Sequence, residues 1–190
     1  LNYRGSGNYG RSFQHVGARQ WGRTMQDDIT DATRWAIEQK IADPQRICLY
    51  GASYGAYASL MGVAKEPELY RCAAGYVGVY DLALMHKQDS RDSQAGRNWA
   101  DDWISDDRAT LAEVSPNLLA QRIRVPVFLA AGGKDEIAPQ AHSERMEKAL
   151  KAANVPVETL YVRTEGHGFY AEANQRTYYT RLLDFLSRHL

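Results

Sequence analysis

The chain has 190 residues, of which 44% are hydrophobic, and this length and composition suit one domain with a sizeable core. Its 23 basic and 23 acidic residues balance, which excludes a global field that would attract nucleic acid or an anionic membrane. The sequence shows neither an apolar run long enough to span a bilayer nor a signal-peptide pattern. We therefore expect a soluble domain over residues 1–190 whose specificity is local.

Apolar runs and helical periodicity divide most of the chain into alternating elements. Residues 1–24 are rich in glycine and aromatic residues, which predicts a loop packed by its own side chains. In chain order, the pattern then predicts a helix over 25–40, a strand over 47–50, a helix over 56–64, strands over 71–79 and 125–131, a helix over 139–152, a strand over 157–162 and a helix over 172–189. Residues 82–123 are irregular and predict an insertion or a set of short helices, with an acidic run that favours a solvated face over a calcium loop.

The predicted strands are apolar throughout and alternate with helices, which is typical of a parallel sheet covered by helices on both faces. Functional sites in such sheets form at the carboxyl ends of the strands. Cys48 and Cys72 both lie in apolar strand-like runs, which favours buried free thiols over a disulfide or a metal pair. Free thiols favour a reducing compartment, so we expect the cytoplasm, with the periplasm as the alternative. We expect no metal and no cofactor.

Ser53 lies in a G-x-S-x-G pattern at the junction of a predicted strand and a predicted helix. A serine at such a junction projects its hydroxyl from the carboxyl edge of the sheet, and Gly51 and Gly55 would let neighbouring backbone pass close. Serine is also a common N-cap of helices. The pattern alone therefore leaves two interpretations open, a nucleophile and a helix cap.

Asp135 and His167 each follow a later predicted strand, so the order along the chain is Ser, Asp, His, as in α/β-hydrolases. A serine hydroxyl needs an imidazole to accept its proton, and the imidazole needs a carboxylate to fix its tautomer. Asp81 also ends a predicted strand and is the second candidate for the acid. The backbone N–H of Tyr54 is predicted as one oxyanion donor, whereas a loop for the second donor does not precede Ser53. The remaining histidines, which we interpret as structural or surface residues, are His15, His86, His142 and His189.

Motifs along nearly the whole chain fit one family pattern. They are Asn2-Tyr3-Arg4-Gly5-Ser6, Tyr9-Gly10, Trp21-Gly22, residues 25–28 with Asp31, residues 51–58 around Ser53, Asp135 with Pro139, and Glu165-Gly166-His167-Gly168-Phe169. In these motifs the chain resembles the prolyl oligopeptidase family of serine peptidases, in particular its dipeptidyl-peptidase and acylaminoacyl-peptidase branches. The resemblance implies Ser53 as nucleophile, Asp135 as orienting acid and His167 as general base in the hydrolysis of short peptides through an acyl-enzyme.

The resemblance also implies a substrate pocket that includes Val79, Leu82 and Met85. Ala138 stands where family members often carry valine, which leaves the width of this pocket open. Ala52 and Ala56 stand where the family usually has glycine, and because alanine is the smallest alternative we expect the turn to survive.

In the family, further strands, the second oxyanion donor and usually a β-propeller precede the segment that resembles residues 2–6. We therefore expect an N-terminally truncated α/β-hydrolase domain, whose strand before Ser53 lies at an open sheet edge. An open apolar edge favours pairing, so we expect the chain to form a homo-oligomer there. An esterase on the same fold and a catalytically weak, self-associating fragment are the alternatives.

Overall fold

The structure is a computed structural model that describes residues 1–190, except for the side chain of Asp92. In chain order the elements are α1 (Arg11–His15), α2 (Thr24–Glu38), β1 (Cys48–Ala52), α3 (Tyr54–Lys65), β2 (Cys72–Tyr76), α4 (Leu82–Asp92), α5 (Gln94–Trp103), α6 (Arg108–Glu113), two 3₁₀ helices (Pro116–Leu118 and Ala120–Arg122), β3 (Val127–Gly132), α7 (Ala141–Ala152), β4 (Val157–Val162) and α8 (Glu172–His189). The predicted strands and helices are confirmed, with ends that shift by a few residues.

The chain forms two compact units. The first comprises Leu1–Ala42 and Leu82–Ser115, and the second comprises Asp43–Asp81 and Pro116–Leu190. A single catalytic domain over residues 1–190 stays a prediction. Within the part of the chain that the structure describes, no helix has the length and apolar character needed to cross a membrane.

The first unit contains the helices α1, α2, α4, α5 and α6. The predicted aromatic packing of residues 1–24 is present, since the ring of Tyr9 lies 5.3 Å from that of Phe13. These residues also form the short helix α1, which sequence periodicity did not predict. Residues 82–115 fold into α4, α5 and α6, as the prediction of short helices required.

The second unit is built on a four-stranded parallel sheet in the order β1-β2-β3-β4. Because all four strands run in the same direction, their carboxyl ends all lie on the same side of the sheet. β3 lies in the middle and is buried along its whole length, which explains its continuous apolar run. β1 lies at an edge of the sheet, as predicted.

Helices cover both faces of this sheet. On one face, α8 packs on β2 and β3 in a cluster of buried residues: Cys72, Ala74, Phe128, Ala130, Phe169, Tyr178, Leu182 and Phe185. On the other face, Gly75 of β2 faces Leu60 of α3, where an added Cβ would lie 3.2 Å from the Leu60 side chain. On this second face, α7 reaches β4 through a 2.8 Å hydrogen bond from the Tyr161 hydroxyl to Glu147. The predicted α/β-hydrolase layering is confirmed.

Cys48 and Cys72 form a disulfide that links β1 to β2, so the prediction of free thiols was wrong. The two residues are 24 positions apart in the chain, but they are register partners in the sheet. Their Cα atoms lie 4.6 Å apart, within the range that a disulfide spans. An apolar run identifies a strand but does not identify its neighbour, and for this reason the pairing escaped prediction.

Candidate active site

Ser53 occupies a strained turn between β1 and α3, with φ 54° and ψ −119°. A positive φ is uncommon for a residue other than glycine, and it persists where the surroundings hold it. Gly51 makes the turn possible, because a Cβ at Gly51 would lie 2.3 Å from the carbonyl carbon of Gly55. A Cβ at Gly55 would meet nothing within 4 Å, so of the two glycines only Gly51 is required for close backbone approach.

The helix-cap interpretation of Ser53 is true of its backbone but not of its side chain. The carbonyl of Ser53 accepts hydrogen bonds from the N–H groups of Ala56 and Tyr57, at 3.1 and 3.2 Å, which begin α3. Within the described residues, its side chain makes no capping hydrogen bond. The hydroxyl is therefore not used to close the helix, and the N–H of Tyr54 lies at the positive end of the α3 dipole.

Ala52 and Ala56 replace the glycines that the family pattern expects, and both fit. Ala52 is exposed, so its methyl group displaces nothing. Ala56 is completely buried opposite Gly78, where an added Cβ would lie 2.5 Å from the Ala56 Cβ. The missing side chain at Gly78 thus makes room for the methyl group of Ala56.

Asp135 and His167 are in direct contact. Nδ1 of His167 lies 2.9 Å from Oδ2 and 3.1 Å from Oδ1 of Asp135. The side chain of Asp135 is fully buried, and its Oδ1 also accepts hydrogen bonds from the N–H groups of Ile137 (2.9 Å) and Ala138 (2.8 Å). The carboxylate is therefore held in one orientation, and it favours the tautomer of His167 with its proton on Nδ1 and a free electron pair on Nε2.

Two glycines let the loops that carry Asp135 and His167 approach each other. A Cβ at Gly132 would lie 2.2 Å from the carbonyl oxygen of Gly166, and a Cβ at Gly133 would lie 2.8 Å from the Cα of Arg163. The N–H of Lys134 donates to the carbonyl of Glu165 at 2.8 Å, which joins the two loops directly. Backbone contact between the loops thus sets the distance between the carboxylate and the imidazole.

The side chain of Glu165 stabilises the loop that carries His167 through three hydrogen bonds. Its buried carboxylate accepts hydrogen bonds from the N–H groups of Tyr170 (2.9 Å) and Ala171 (3.0 Å) and from the side-chain amide of Asn174 (2.7 Å). The Asn174 amide first, and then the two backbone N–H groups, hold the pKa of Glu165 below its usual value. An anion here also stabilises the N-terminus of α8.

Tyr76, at the end of β2, joins the Ser53 turn to the His167 loop. Its carbonyl accepts the N–H of Ser53 at 2.9 Å, and its hydroxyl accepts the N–H of Phe169. Ser53 is therefore tied to the Asp135–His167 pair through a residue on the strand beside it. The sequence alone indicates no role for Tyr76 or Glu165. The local signal for Glu165 is an acid directly before Gly-His-Gly and shortly before α8, whereas nothing local marks Tyr76.

Asp81, the second candidate for the acid, is engaged elsewhere in the second unit. Its Oδ2 lies 2.6 Å from the Arg145 guanidinium and 3.3 Å from the side-chain amide of Asn117. Arg145 balances the charge of the Asp81 carboxylate, and Nδ1 of His167 contacts Asp135. The geometry therefore favours Asp135 for that role.

The other histidines lie in structural or surface positions, as predicted. His142 is fully buried, and its Nδ1 lies 3.4 Å from the backbone nitrogens of Tyr80 and Asp81. Burial lowers the pKa of His142 to about 4, so this ring stays neutral. His15 packs on Trp103, His86 binds Asp101 and His189 packs on Phe185.

The residues predicted to line the substrate pocket are all buried. Val79 and Ala138 belong to the second unit, where the N–H of Ala138 also binds Asp135. Leu82 and Met85 lie in α4 of the first unit. Their contact with substrate stays a prediction.

The whole chain, residues 1–190, matches the family model for the prolyl oligopeptidase family. The chain belongs to the prolyl oligopeptidase family. Members of this family are serine hydrolases, and the solved structures that this chain resembles are α/β-hydrolase peptidases. The family resemblance in the sequence motifs is thereby confirmed.

Three proteins that this chain is similar to are all much longer than it is. Dipeptidyl aminopeptidase BIII from Pseudoxanthomonas mexicana is 30% identical over 195 residues, which cover 100% of this chain and 28% of that protein. Dipeptidyl peptidase family member 6 from Caenorhabditis elegans is 29% identical and covers 100% of this chain, which spans 26% of that protein. The structure of a puromycin-hydrolyzing peptidase from Mycobacterium tuberculosis superimposes with a TM-score of 0.92 at 28% identity, over 100% of this chain and 29% of that one. The chain thus spans less than a third of the length of these relatives.

Proposed function

We propose that this chain carries the catalytic centre of a serine peptidase that hydrolyses short peptides. The observation that carries the proposal is the 2.9 Å contact between Nδ1 of His167 and the buried carboxylate of Asp135. The strained turn at Ser53 supports it, because this turn follows β1, whose carboxyl end points the same way as those of β3 and β4 in the parallel sheet. Two relatives named as a dipeptidyl aminopeptidase and a dipeptidyl peptidase support a short peptide as substrate.

In the proposed mechanism, Oγ of Ser53 attacks the scissile carbonyl carbon while Nε2 of His167 accepts the hydroxyl proton. Asp135 accepts the hydrogen bond from Nδ1–H of His167 and stabilises the imidazolium that forms. His167 then gives its proton to the leaving amine, the C–N bond breaks, and an acyl-enzyme ester remains on Ser53. A water molecule, deprotonated by His167, then attacks the ester carbon. The bond between this carbon and Oγ breaks, His167 returns the proton to Oγ, and the acid product leaves.

The tetrahedral intermediates carry a negative oxygen that must be stabilised. The N–H of Tyr54 is the proposed donor within this chain, because it directly follows Ser53 and begins α3. The α3 dipole adds positive potential at the same place. Removing one oxyanion donor typically costs about 100- to 1,000-fold in turnover, so the Tyr54 N–H would be a large contribution to the rate.

The proposed substrate pocket would hold the side chain next to the scissile bond. Within the second unit, the residues proposed for it are Val79 and Ala138, and both are apolar. An apolar pocket favours an uncharged side chain, because a charged one would lose its hydration without gaining a partner.

Labelling with a fluorophosphonate tests the nucleophile. The probe is expected to modify the wild type and the Ser187→Ala control, whose serine is exposed on α8, but not Ser53→Ala. Equal labelling of Ser53→Ala would contradict the proposal. Comparing a peptide p-nitroanilide with a p-nitrophenyl ester then separates a peptidase from an esterase, since an esterase would turn over the ester alone.

We further propose that the chain associates through β1. This strand pairs with β2 on one side and lies at an edge of the sheet on the other, where its backbone groups can pair with another strand. Light scattering over a range of concentrations is expected to show dimers or larger species. A constant monomer mass at high concentration would contradict this proposal.

The Cys48–Cys72 disulfide changes the proposed compartment. Disulfides persist in oxidising compartments and are rare where cytosolic thiols are kept reduced. Of the two compartments expected from the sequence, the disulfide therefore favours the periplasm over the cytoplasm.

A further inference from the structure

Tyr76 makes two hydrogen bonds that lead to different parts of the proposed triad. Its carbonyl accepts the N–H of Ser53 at 2.9 Å, and its hydroxyl accepts the N–H of Phe169, two residues after His167. One end of the residue thus contacts the nucleophile turn and the other end contacts the loop of the general base. The rigid tyrosine side chain lies between these two contacts.

Aromatic packing fixes the direction of the Tyr76 side chain. Its ring stacks on Tyr178 with centroids 4.4 Å apart and meets Phe169 edge to face at 5.1 Å. Both neighbours are almost fully buried. Burial also raises the pKa of Tyr76 to about 12, so the hydroxyl is neutral at physiological pH and keeps a lone pair for the Phe169 N–H.

The backbone of Tyr76 is fixed as firmly as its ring. The peptide group between Tyr76 and Val77 is bonded on both sides, because its carbonyl accepts from Ser53 and its N–H donates to the Ala130 carbonyl at 2.8 Å. Val77 has a φ of 45°, which β-branched residues rarely adopt. Such strain persists where the surrounding structure holds it, and it occurs preferentially at functional sites.

We infer that Tyr76 is a positioning residue for the proposed triad: its carbonyl places the Ser53 turn, and its hydroxyl places the loop that carries His167. This inference rests on the proposed function. The distance between nucleophile and base depends on two loops from opposite edges of the sheet, and Tyr76 is bonded to both. A displacement of about 1 Å between reacting groups can cost about 100-fold in rate.

The substitution Tyr76→Phe tests the inference, because it removes the hydroxyl and keeps the ring and the backbone carbonyl. Tyr178→Phe is the matched control, since it removes a neighbouring hydroxyl that bonds to Tyr50 at 3.1 Å and has no place in the proposed triad. In the intact protein, Tyr76→Phe is expected to slow fluorophosphonate labelling of Ser53 by about 10- to 100-fold. Peptide turnover should fall by a similar factor with little change in KM, whereas Tyr178→Phe should stay near the wild-type rate.

Hydrogen exchange of the Phe169 amide gives a readout that does not depend on activity. Tyr76→Phe should accelerate exchange at Phe169, because that N–H loses its acceptor, while Tyr178→Phe should leave it unchanged. Wild-type exchange and labelling rates in Tyr76→Phe would overturn the inference. An equal loss of labelling in both variants would also overturn it, because that outcome points to general loosening of the aromatic cluster. If the wild type itself is not labelled, the proposed function fails, and exchange at Phe169 still decides whether Tyr76 holds the loop.

Discussion

His167 and Asp135 form a buried carboxylate–imidazole pair with Nδ1 2.9 Å from Oδ2. If this pair serves Ser53, Asp135→Asn should lower turnover by about 10,000-fold, because an amide can favour the wrong histidine tautomer and cannot stabilise the imidazolium. The measurement is kcat on a peptide p-nitroanilide. Asp81→Asn is the matched control, since Asp81 pairs with Arg145 and should affect stability more than turnover. The reverse order of effects would identify Asp81 as the acid.

Gly51 and Gly55 should respond differently to the same added methyl group. Gly51→Ala places a Cβ 2.3 Å from the Gly55 backbone, so the Ser53 turn must shift. We expect the free energy of unfolding to fall by about 1–3 kcal/mol and Ser53 to lose most of its reactivity. Gly55→Ala meets no neighbour and removes a glycine from a helix, which should stabilise the fold by up to about 1 kcal/mol. Urea unfolding and the rate of fluorophosphonate labelling report the two effects. Equal losses in both variants would show that the turn is not limited by this contact.

Glu165 should make stability depend on pH in the acidic range. Its pKa is lowered in the folded state by Asn174 and backbone N–H groups, so its stabilisation is fully present above the ordinary glutamate value of about 4.5. That stabilisation is lost as the pH falls through the lowered pKa. The difference in unfolding temperature between the wild type and Glu165→Gln should therefore shrink between pH 7 and pH 3.5.

The control for Glu165 is Glu172→Gln, because Glu172 is exposed in the first turn of α8. This variant should follow the wild type closely over the same pH range. A constant difference between wild type and Glu165→Gln at every pH would show that the carboxylate charge does not stabilise the His167 loop.

Reduction of the Cys48–Cys72 bond should destabilise the second unit. The bond closes a loop with a sequence separation of 24. For a loop of this length, the entropy of the unfolded chain predicts that removing the bond lowers the free energy of unfolding by about 3 kcal/mol. Urea unfolding with and without a reductant measures this loss. The double variant Cys48→Ala/Cys72→Ala should have the same urea midpoint with and without the reductant. If alkylation and mass spectrometry find two free thiols in protein isolated without reductant, the bond is absent and the argument for the periplasm falls with it.

Local patterns were enough to predict the main elements and the candidate triad. Strands and helices follow from hydrophobic periodicity, which is a property of neighbouring residues. A parallel sheet places the carboxyl ends of β1, β3 and β4 on the same side, so the sequence pattern alone associates Ser53, Asp135 and His167. The sequence predicts a turn at Gly132 and Gly133. It does not show that the backbone of Arg163–Gly166 approaches these two glycines, which is why they must lack a side chain.

The sequence by itself determined the family, the alternation of strands and helices, and the residue types that acyl transfer requires. Only the tertiary structure decided that Cys48 is bonded to Cys72, that Asp81 pairs with Arg145, and that Tyr76 contacts both the Ser53 turn and the His167 loop. These are contacts between residues far apart in the chain, and they depend on strand order, register and loop direction. Periodicity within a segment carries no information on which other segment lies beside it.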